Sequence, residues 1–190
     1  MNLSDIRFPR QLEADDTAET VRKALMARTV KLWPGGDLDV AKIAMDDPLK
    51  EALRMARLKG RIQYGFETVS DRLAGESKGI EHVRGRGGVP YGDRVSRLLL
   101  FSNDGAKRLY RHIESLLQAH APRLLGCLLD IDGIALGSAL TGKEIRIKLL
   151  MADHKDAVSE ILRTMVAGRN IDPSASDAIQ KAAVKPLPMD

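Results

Sequence analysis

The run Leu124–Leu129, with the sequence LLGCLL, contains no polar side chain. A strand with one face in water alternates apolar and polar residues, so an unbroken apolar run indicates a strand that is covered on both faces. Other elements of the chain must therefore pack above and below it. Aromatic residues make up only 4% of the chain against 44% hydrophobic residues in total, so the core around this strand is expected to be aliphatic.

Strand and helix patterns alternate around this run in the second half of the chain. The patterns predict a strand over residues 94–104 and a helix over 104–121. After the apolar run they predict a short helix or turn over 133–142, a half-exposed edge strand over 143–153 and a final helix over 154–168. Alternating strands and helices imply crossover connections and parallel strands. The fold class predicted is α/β, with a small, mainly parallel sheet of three to four strands and crossover helices, preceded by an N-terminal helical region.

The first 75 residues show helical patterns interrupted by turn signals. One helix is predicted from Asp15 to Trp33, and a second begins at Pro48 with Asp47 as its N-cap. The stretch from Gly75 to Asp93 contains six glycines and no periodicity, which favours a domain boundary. The predicted organisation is a helical region, a Gly/Arg-rich linker, an α/β domain and a C-terminal tail with a short helix, over residues 1–75, 76–93, 94–168 and 169–190.

The positive charge of the chain is concentrated in its middle third. Residues 51–111 carry 13 Lys and Arg against 7 Asp and Glu, a net charge of +6, whereas the whole chain has +4. Localised positive charge attracts polyanions. Basic side chains would clamp phosphate oxygens, and Tyr91 would stack on a base. The candidate phosphate- or nucleic-acid-binding residues are Arg84, Arg86, Arg94, Arg97, Lys107, Arg108 and Arg111.

A second interpretation of the same segment is purely structural. Its arginines would then pair with Glu76, Glu81 and Asp93, and residues 76–93 would be a solvated connection ahead of a buried strand.

Three of the predicted strands end in acidic residues, at Asp104, at Asp130 and Asp132, and at Asp153, and these residues suggest a metal site. Adjacent parallel strands end at the same edge of a sheet, where α/β proteins bind their ligands, so Asp130, Asp132 and Asp153 would lie close together there. Carboxylate oxygens of this kind would hold Mg²⁺ as a cofactor. The alternative is that aspartates after strands cap the next helix, a role that suits Asp104 and Asp153.

The nine residues LLDIDGIAL, from Leu128 to Leu136, resemble the first motif of haloacid-dehalogenase-like phosphatases, an apolar strand that ends in D-x-D-G-T. The resemblance implies that Asp130 attacks a phosphoryl group and that Asp132 acts as acid and base beside Mg²⁺. This sequence departs from the motif at Ile134, which stands where the family has Thr. Asp153 and Lys155 are the only candidates for the remaining residues of such a site, and no further strand is predicted after them.

Cysteine and histidine usage excludes several kinds of site. Cys127 is the only cysteine, so an internal disulfide and a multi-cysteine zinc site are both excluded, and the thiol is expected to be a buried apolar group. The four histidines have no metal-ligand spacing. No apolar stretch approaches the roughly 20 residues that a bilayer requires, and residues 1–16 have no apolar core of a leader. The sequence therefore predicts a cytoplasmic protein with no membrane partner.

Three function classes fit these features. The first is a nucleic-acid- or phosphate-ligand-binding module that uses the basic middle segment, with RNA or DNA as partner. The second is a non-catalytic interaction protein, a homo-oligomer whose small sheet is completed by self-association. The third is a Mg²⁺-dependent enzyme at the acidic strand ends. A binding module requires basic residues on one face of the protein. An interaction protein requires an exposed apolar surface, and an enzyme requires a concave pocket beside Asp130 and Asp132.

Overall fold

The computed structural model describes residues 3–87 and 93–167. Within these ranges a six-stranded sheet carries helices on both faces, so the predicted α/β class is confirmed. The strands are β1 Thr29–Lys31, β2 Asp39–Ile43, β3 Ile62–Tyr64, β4 Arg97–Phe101, β5 Leu124–Leu129 and β6 Leu149–Ala152. The α-helices are α1 Arg10–Ala14, α2 Thr17–Met26, α3 Asp47–Leu58, α4 Phe66–Gly85, α5 Lys107–Ala119, α6 Gly133–Thr141 and α7 Lys155–Ala167.

The sheet is larger and more mixed than the sequence predicts. The strand order is β1-β2-β5-β4-β6-β3, with β2, β5 and β4 mutually parallel and the remaining three pairings antiparallel. The prediction of three to four mainly parallel strands is wrong because the N-terminal helical region also supplies β1, β2 and β3. Two of these strands have only three residues each, which is too short to leave an alternating pattern in the sequence.

Strand β6 is central and antiparallel, not an edge. It lies between β4 and β3, and its residues are all buried. The alternating residues that precede it are not strand, since this segment runs against α6, where the Ile147 N–H donates to the Gly133 carbonyl at 2.8 Å. Because β6 pairs antiparallel with β4, the carboxyl end of β6 lies beside the amino ends of β4 and β5.

The sheet has an apolar core on each face. Leu98 and Leu100 of β4 face the cluster that contains the buried residues of α1, α2, α3, α6 and α7. Leu99 and Phe101, the alternating residues, face the cluster formed by α4 and α5. Strand β5 is covered on both sides, as its apolar run predicts, and Cys127 is fully buried.

Several predicted boundaries in the first half of the chain are wrong. Helix α2 ends at Met26, and the residues that follow turn back as β1. The N-cap of α3 is Asp46, whose carboxylate accepts from the Leu49 N–H at 2.9 Å, one residue before the predicted cap. Helix α4 continues through Gly75 to Gly85, so the first ten residues of the predicted linker are helical. The rest of the linker beyond residue 87, up to residue 92, and the predicted tail at 169–190 lie outside the described residues.

No helix in the described part of the chain combines the length and the apolar character that crossing a membrane requires.

Candidate nucleic-acid interface

The seven predicted basic residues lie in three separate places. Arg84 and Arg86 are exposed at the carboxyl end of α4. Arg94 and Arg97 stand just before β4 and at its first residue. The other three, Lys107, Arg108 and Arg111, lie exposed along the first two turns of α5. Tyr91, the residue predicted to stack on a base, lies outside the described residues.

Arg94 and Arg97 both form contacts within the protein. Arg94 forms an ion pair with Glu13 and donates to the Phe8 carbonyl at 3.0 Å, which ties the N-terminal segment to the sheet. Arg97 donates from Nε and Nη2 to one oxygen of Glu76, at 3.0 and 2.8 Å. The structural interpretation of this segment thus holds for Arg97 and Glu76, and these two arginines are not available as exposed clamps.

Two of the basic residues of α5 lie over the ring of the one tryptophan of the chain. The Lys107 ammonium lies 5.3 Å from the centre of the Trp33 ring, and the Arg111 guanidinium lies 5.5 Å from it. Both distances are typical of cation–π contacts. Among the described residues no carboxylate forms an ion pair with Lys107, Arg108 or Arg111. We call these three residues together with Trp33 the α5 basic face.

A buried carboxylate fixes the position of Trp33. Glu114 of α5 is only 5% exposed, and it accepts from Trp33 Nε1 at 2.5 Å and from the backbone N–H groups of Asp37 and Leu38 at 2.7 and 2.8 Å. Burial by itself would raise the pKa of Glu114, but these three hydrogen bonds outweigh it and hold the pKa below its ordinary value. Glu114 is thus ionised at neutral pH and anchors the β1–β2 loop to α5.

The α5 basic face borders an open cleft of about 670 Å³. Its floor includes the half-buried Trp33, and its rim carries His112, whose ring lies 5.5 Å from that of Phe66. Among the described residues two carboxylates line the cleft: Glu114, which already accepts three hydrogen bonds, and the exposed Asp37. The cleft thus combines unpaired cations with aromatic rings, the combination that binds phosphates and bases together.

The sequence identified the basic side of α5 but missed its aromatic partner. Lys107, Arg108 and Arg111 could be placed on one helix face by their spacing. Trp33 and Glu114 are 81 residues apart in the chain, and no local pattern connects them.

The acidic residues predicted to hold metal do not meet in one place. Asp130 lies at the end of β5, where Lys42 Nζ lies at 2.9 Å and Asn103 donates at 3.0 Å. The hydrogen bond to Lys42, followed by that to Asn103, lowers the pKa of Asp130. Asp153 lies at the opposite edge of the sheet because β6 is antiparallel, which corrects the expectation that it shares an edge with Asp130 and Asp132.

The other two carboxylates that follow strands, Asp104 and Asp132, both accept hydrogen bonds from the start of α6. Asp132 is the N-cap of α6 and accepts from the Ile134 and Ala135 N–H groups, both at 2.8 Å. Asp104 accepts from the Gly133 N–H at 3.0 Å, so it also serves α6 and not the helix that follows it. Within the described residues no group of three His, Cys, Asp or Glu side chains is arranged to hold a metal ion.

No protein-family model matches the sequence, and comparison with curated proteins gives no match either.

Proposed function

We propose that this protein binds nucleic acid, RNA or DNA, in a single-stranded region, through the α5 basic face. The observation that supports this proposal is that Lys107 and Arg111 lie over the half-buried Trp33 and that Arg108 lines the same cleft. None of the three cations has a carboxylate partner among the described residues. Backbone phosphates would contact the three cations, and an unpaired base would stack at the tryptophan. A paired base offers no free face to such a ring, which is the reason for proposing single strands.

The α5 basic face supports this function better than the arginines around residues 84–97. Arg94 and Arg97 already pair with Glu13 and Glu76, and a phosphate at Arg94 would take the ion-pair partner of Glu13. On α5, Lys107 and Arg111 contact an aromatic ring and no described carboxylate, so phosphate binding there breaks no ion pair within the described residues.

Neither alternative function gains a specific contact from the structure. The self-association hypothesis starts from a sheet too small to be covered, whereas the six-stranded sheet has an apolar core on each face within one chain. The hypothesis of a Mg²⁺ enzyme requires Asp130 and Asp132 to face a ligand, whereas Asp130 is paired with Lys42 and Asp132 caps α6.

The test compares two triple-alanine variants by fluorescence anisotropy of labelled single-stranded RNA and DNA over a series of salt concentrations. One variant removes the cations of the α5 basic face, in the form Lys107→Ala, Arg108→Ala and Arg111→Ala. The control removes three exposed lysines elsewhere, in the form Lys59→Ala, Lys78→Ala and Lys143→Ala. Both lose the same net charge, so a difference between them measures location and not overall charge.

We expect the α5 variant to flatten the slope of log binding constant against log salt by about 2, because each phosphate contact on a single strand contributes about 0.7. The control should keep the wild-type slope. Trp33 is the only tryptophan, so its emission should be quenched on binding by the wild type and by the control. Equal losses in both variants, or binding without a change in Trp33 emission, would contradict the proposal.

A further variant, Arg84→Ala with Arg86→Ala, tests the end of α4. We expect it to bind as the wild type does, since these side chains lie on a different helix from the α5 basic face. Loss of binding in this variant alone would move the interface to α4.

A further inference from the structure

The antiparallel direction of β6 creates a second basic pocket, on the opposite edge of the sheet. Here the start of α7 meets the residues that enter β4 and β5. The pocket has a volume of about 380 Å³ and shares no residue with the α5 basic face. It is lined by Arg94, Ser96, Arg97, Arg123, Asp153, His154 and Lys155.

A single carboxylate, that of Glu76, holds two of the pocket's arginines in position. Arg97 approaches one oxygen of Glu76 at 2.8 Å, and Arg123 approaches the other at 3.3 Å. Arg72 reaches the same carboxylate at 3.3 Å and also lies 3.7 Å from Asp153, so three guanidinium groups face two carboxylates. The site thus keeps an excess of positive charge, and its donors need little reordering to accept an anion.

Ser96 supplies a hydroxyl group that the protein leaves unused. Ser96 lines the pocket, and its buried Oγ has no hydrogen-bond partner among the described residues. An unsatisfied buried hydroxyl destabilises a folded protein, so a polar group without a partner at a pocket wall points to a ligand.

The start of α7 adds further positive potential. This helix has 13 residues, and its first residue, Lys155, is exposed and forms no ion pair with any described carboxylate. Helix N-termini favour anions because their first N–H groups have no partner within the helix. Among the described residues one carboxylate lines the pocket, that of Asp153, which is 11% exposed. Gln63 and Arg72 lie 3.4 and 3.7 Å from it.

We propose that this pocket binds a terminal phosphate group, with Ser96 donating a hydrogen bond and Lys155 and Arg123 neutralising the charge. The volume is at the small end of the range for ligand sites, which suits a phosphate with a short substituent. The proposal is independent of nucleic-acid binding at the α5 basic face.

The first test titrates inorganic phosphate and glycerol 3-phosphate into the full chain by calorimetry and by thermal melting, with chloride at matched ionic strength as reference. Ser96→Ala and Lys155→Ala are compared with Ser138→Ala and Lys143→Ala, which remove a half-buried hydroxyl and an exposed lysine outside the pocket. We expect phosphate, but not chloride, to raise the melting temperature of the wild type. Binding should weaken about tenfold in the two pocket variants and stay unchanged in the two controls.

Ser96→Ala carries a further signature that a purely structural serine would not show. Without phosphate the variant should melt at a higher temperature than the wild type, because it removes an unsatisfied buried hydroxyl. With phosphate it should gain less than the wild type does. A lower melting temperature without phosphate, or equal phosphate affinity in all four variants, would overturn the proposal.

Two further arms identify the source of the phosphate and separate this site from the α5 basic face. Oligonucleotides with and without a 5′-phosphate are compared in the wild type and in Ser96→Ala. A preference for the 5′-phosphate that Ser96→Ala abolishes assigns the site to a strand end, whereas binding of glycerol 3-phosphate without such a preference assigns it to a small molecule. If the Lys107, Arg108 and Arg111 variant loses phosphate binding while Ser96→Ala keeps it, the pocket proposal fails and the α5 proposal stands.

Discussion

At the scale of single residues, Glu114 determines whether the α5 basic face exists. It is one of the few buried polar groups among the described residues, and one carboxylate satisfies three donors from the β1–β2 loop. Without it, Trp33 would have no fixed position beneath Lys107 and Arg111. A residue on the inner side of α5 thus organises the outer side.

We expect Glu114→Gln to lower the free energy of unfolding by about 1–3 kcal/mol, since one amide oxygen cannot accept all three hydrogen bonds. The amide nitrogen of glutamine would face an N–H donor instead of accepting from it. Urea denaturation monitored by circular dichroism measures the change. The control is Glu81→Gln, at an exposed glutamate of α4, which should leave the free energy of unfolding within about 0.5 kcal/mol of the wild type.

The effect of Glu114→Gln should depend on pH in a defined direction. The pKa of Glu114 is lower in the folded protein than its ordinary value of 4.5, so the unfolded chain binds this proton more readily. Its stabilising contribution is therefore complete well above pH 4.5 and is lost as the pH falls through the folded pKa. The difference in unfolding free energy between wild type and Glu114→Gln should narrow on acidification below about pH 4.5. A difference that widens there would contradict this role.

At the scale of elements, two helical glycines differ in whether the surrounding structure leaves room for a side chain. A Cβ atom at Gly137 of α6 would lie 1.7 Å from the Ile145 carbonyl oxygen, so glycine is needed for the close approach of α6 to the segment before β6. At Gly79 of α4 a Cβ atom would meet nothing within 4 Å. Both glycines lie inside helices, but only Gly137 makes a tertiary contact that a side chain would block.

Alanine substitutions at these positions should therefore change stability in opposite directions. Gly137→Ala should destabilise the protein by about 2 kcal/mol or more, because backbone must move to relieve the clash. Gly79→Ala should stabilise it by about 0.5–1 kcal/mol through helix propensity alone. Thermal and urea unfolding of the two variants beside the wild type provide the comparison. Stabilisation by Gly137→Ala would show that α6 does not approach the 143–148 segment so closely.

At the scale of the whole molecule, both halves of the chain build one sheet. Strands β2 and β3, from the first 75 residues, pair with β5 and β6 from the second half. Asp15 and Arg163 add an ion pair at 2.6 Å between α7 and the N-terminal region. The predicted division at residues 76–93 therefore separates strands that depend on each other for their hydrogen bonds.

A fragment containing residues 94–190 should not fold by itself. It would expose the edges of β5 and β6 and the apolar face of α7 that α1, α2 and α3 cover in the full chain. We expect no cooperative thermal transition by circular dichroism in the fragment, under conditions where the full chain unfolds cooperatively. A cooperative transition in the fragment would establish 94–168 as an independent domain.

After residue 93, the sequence by itself determined that β4 and β5 are strands and that α5 and α7 are helices, together with the buried faces of β5 and α7. The apolar run of β5 and the inward residues of α7, including Val158, Ile161 and Leu162, are buried as predicted. Such patterns are reliable because periodicity reports how neighbouring residues in one element differ in burial. The basic excess of the middle segment was readable for a similar reason, since it depends only on composition.

Only the tertiary structure decided the direction of β6, the entry of three N-terminal strands into the sheet, and which basic side chains keep their charge unpaired. Arg97 and Arg111 look equivalent in the sequence, yet one pairs with Glu76 and the other lies over Trp33. The physical reason is that strand pairing and ion pairing are contacts between residues far apart in the chain. A local pattern constrains each partner's own surroundings and carries no information about which distant residue it will meet.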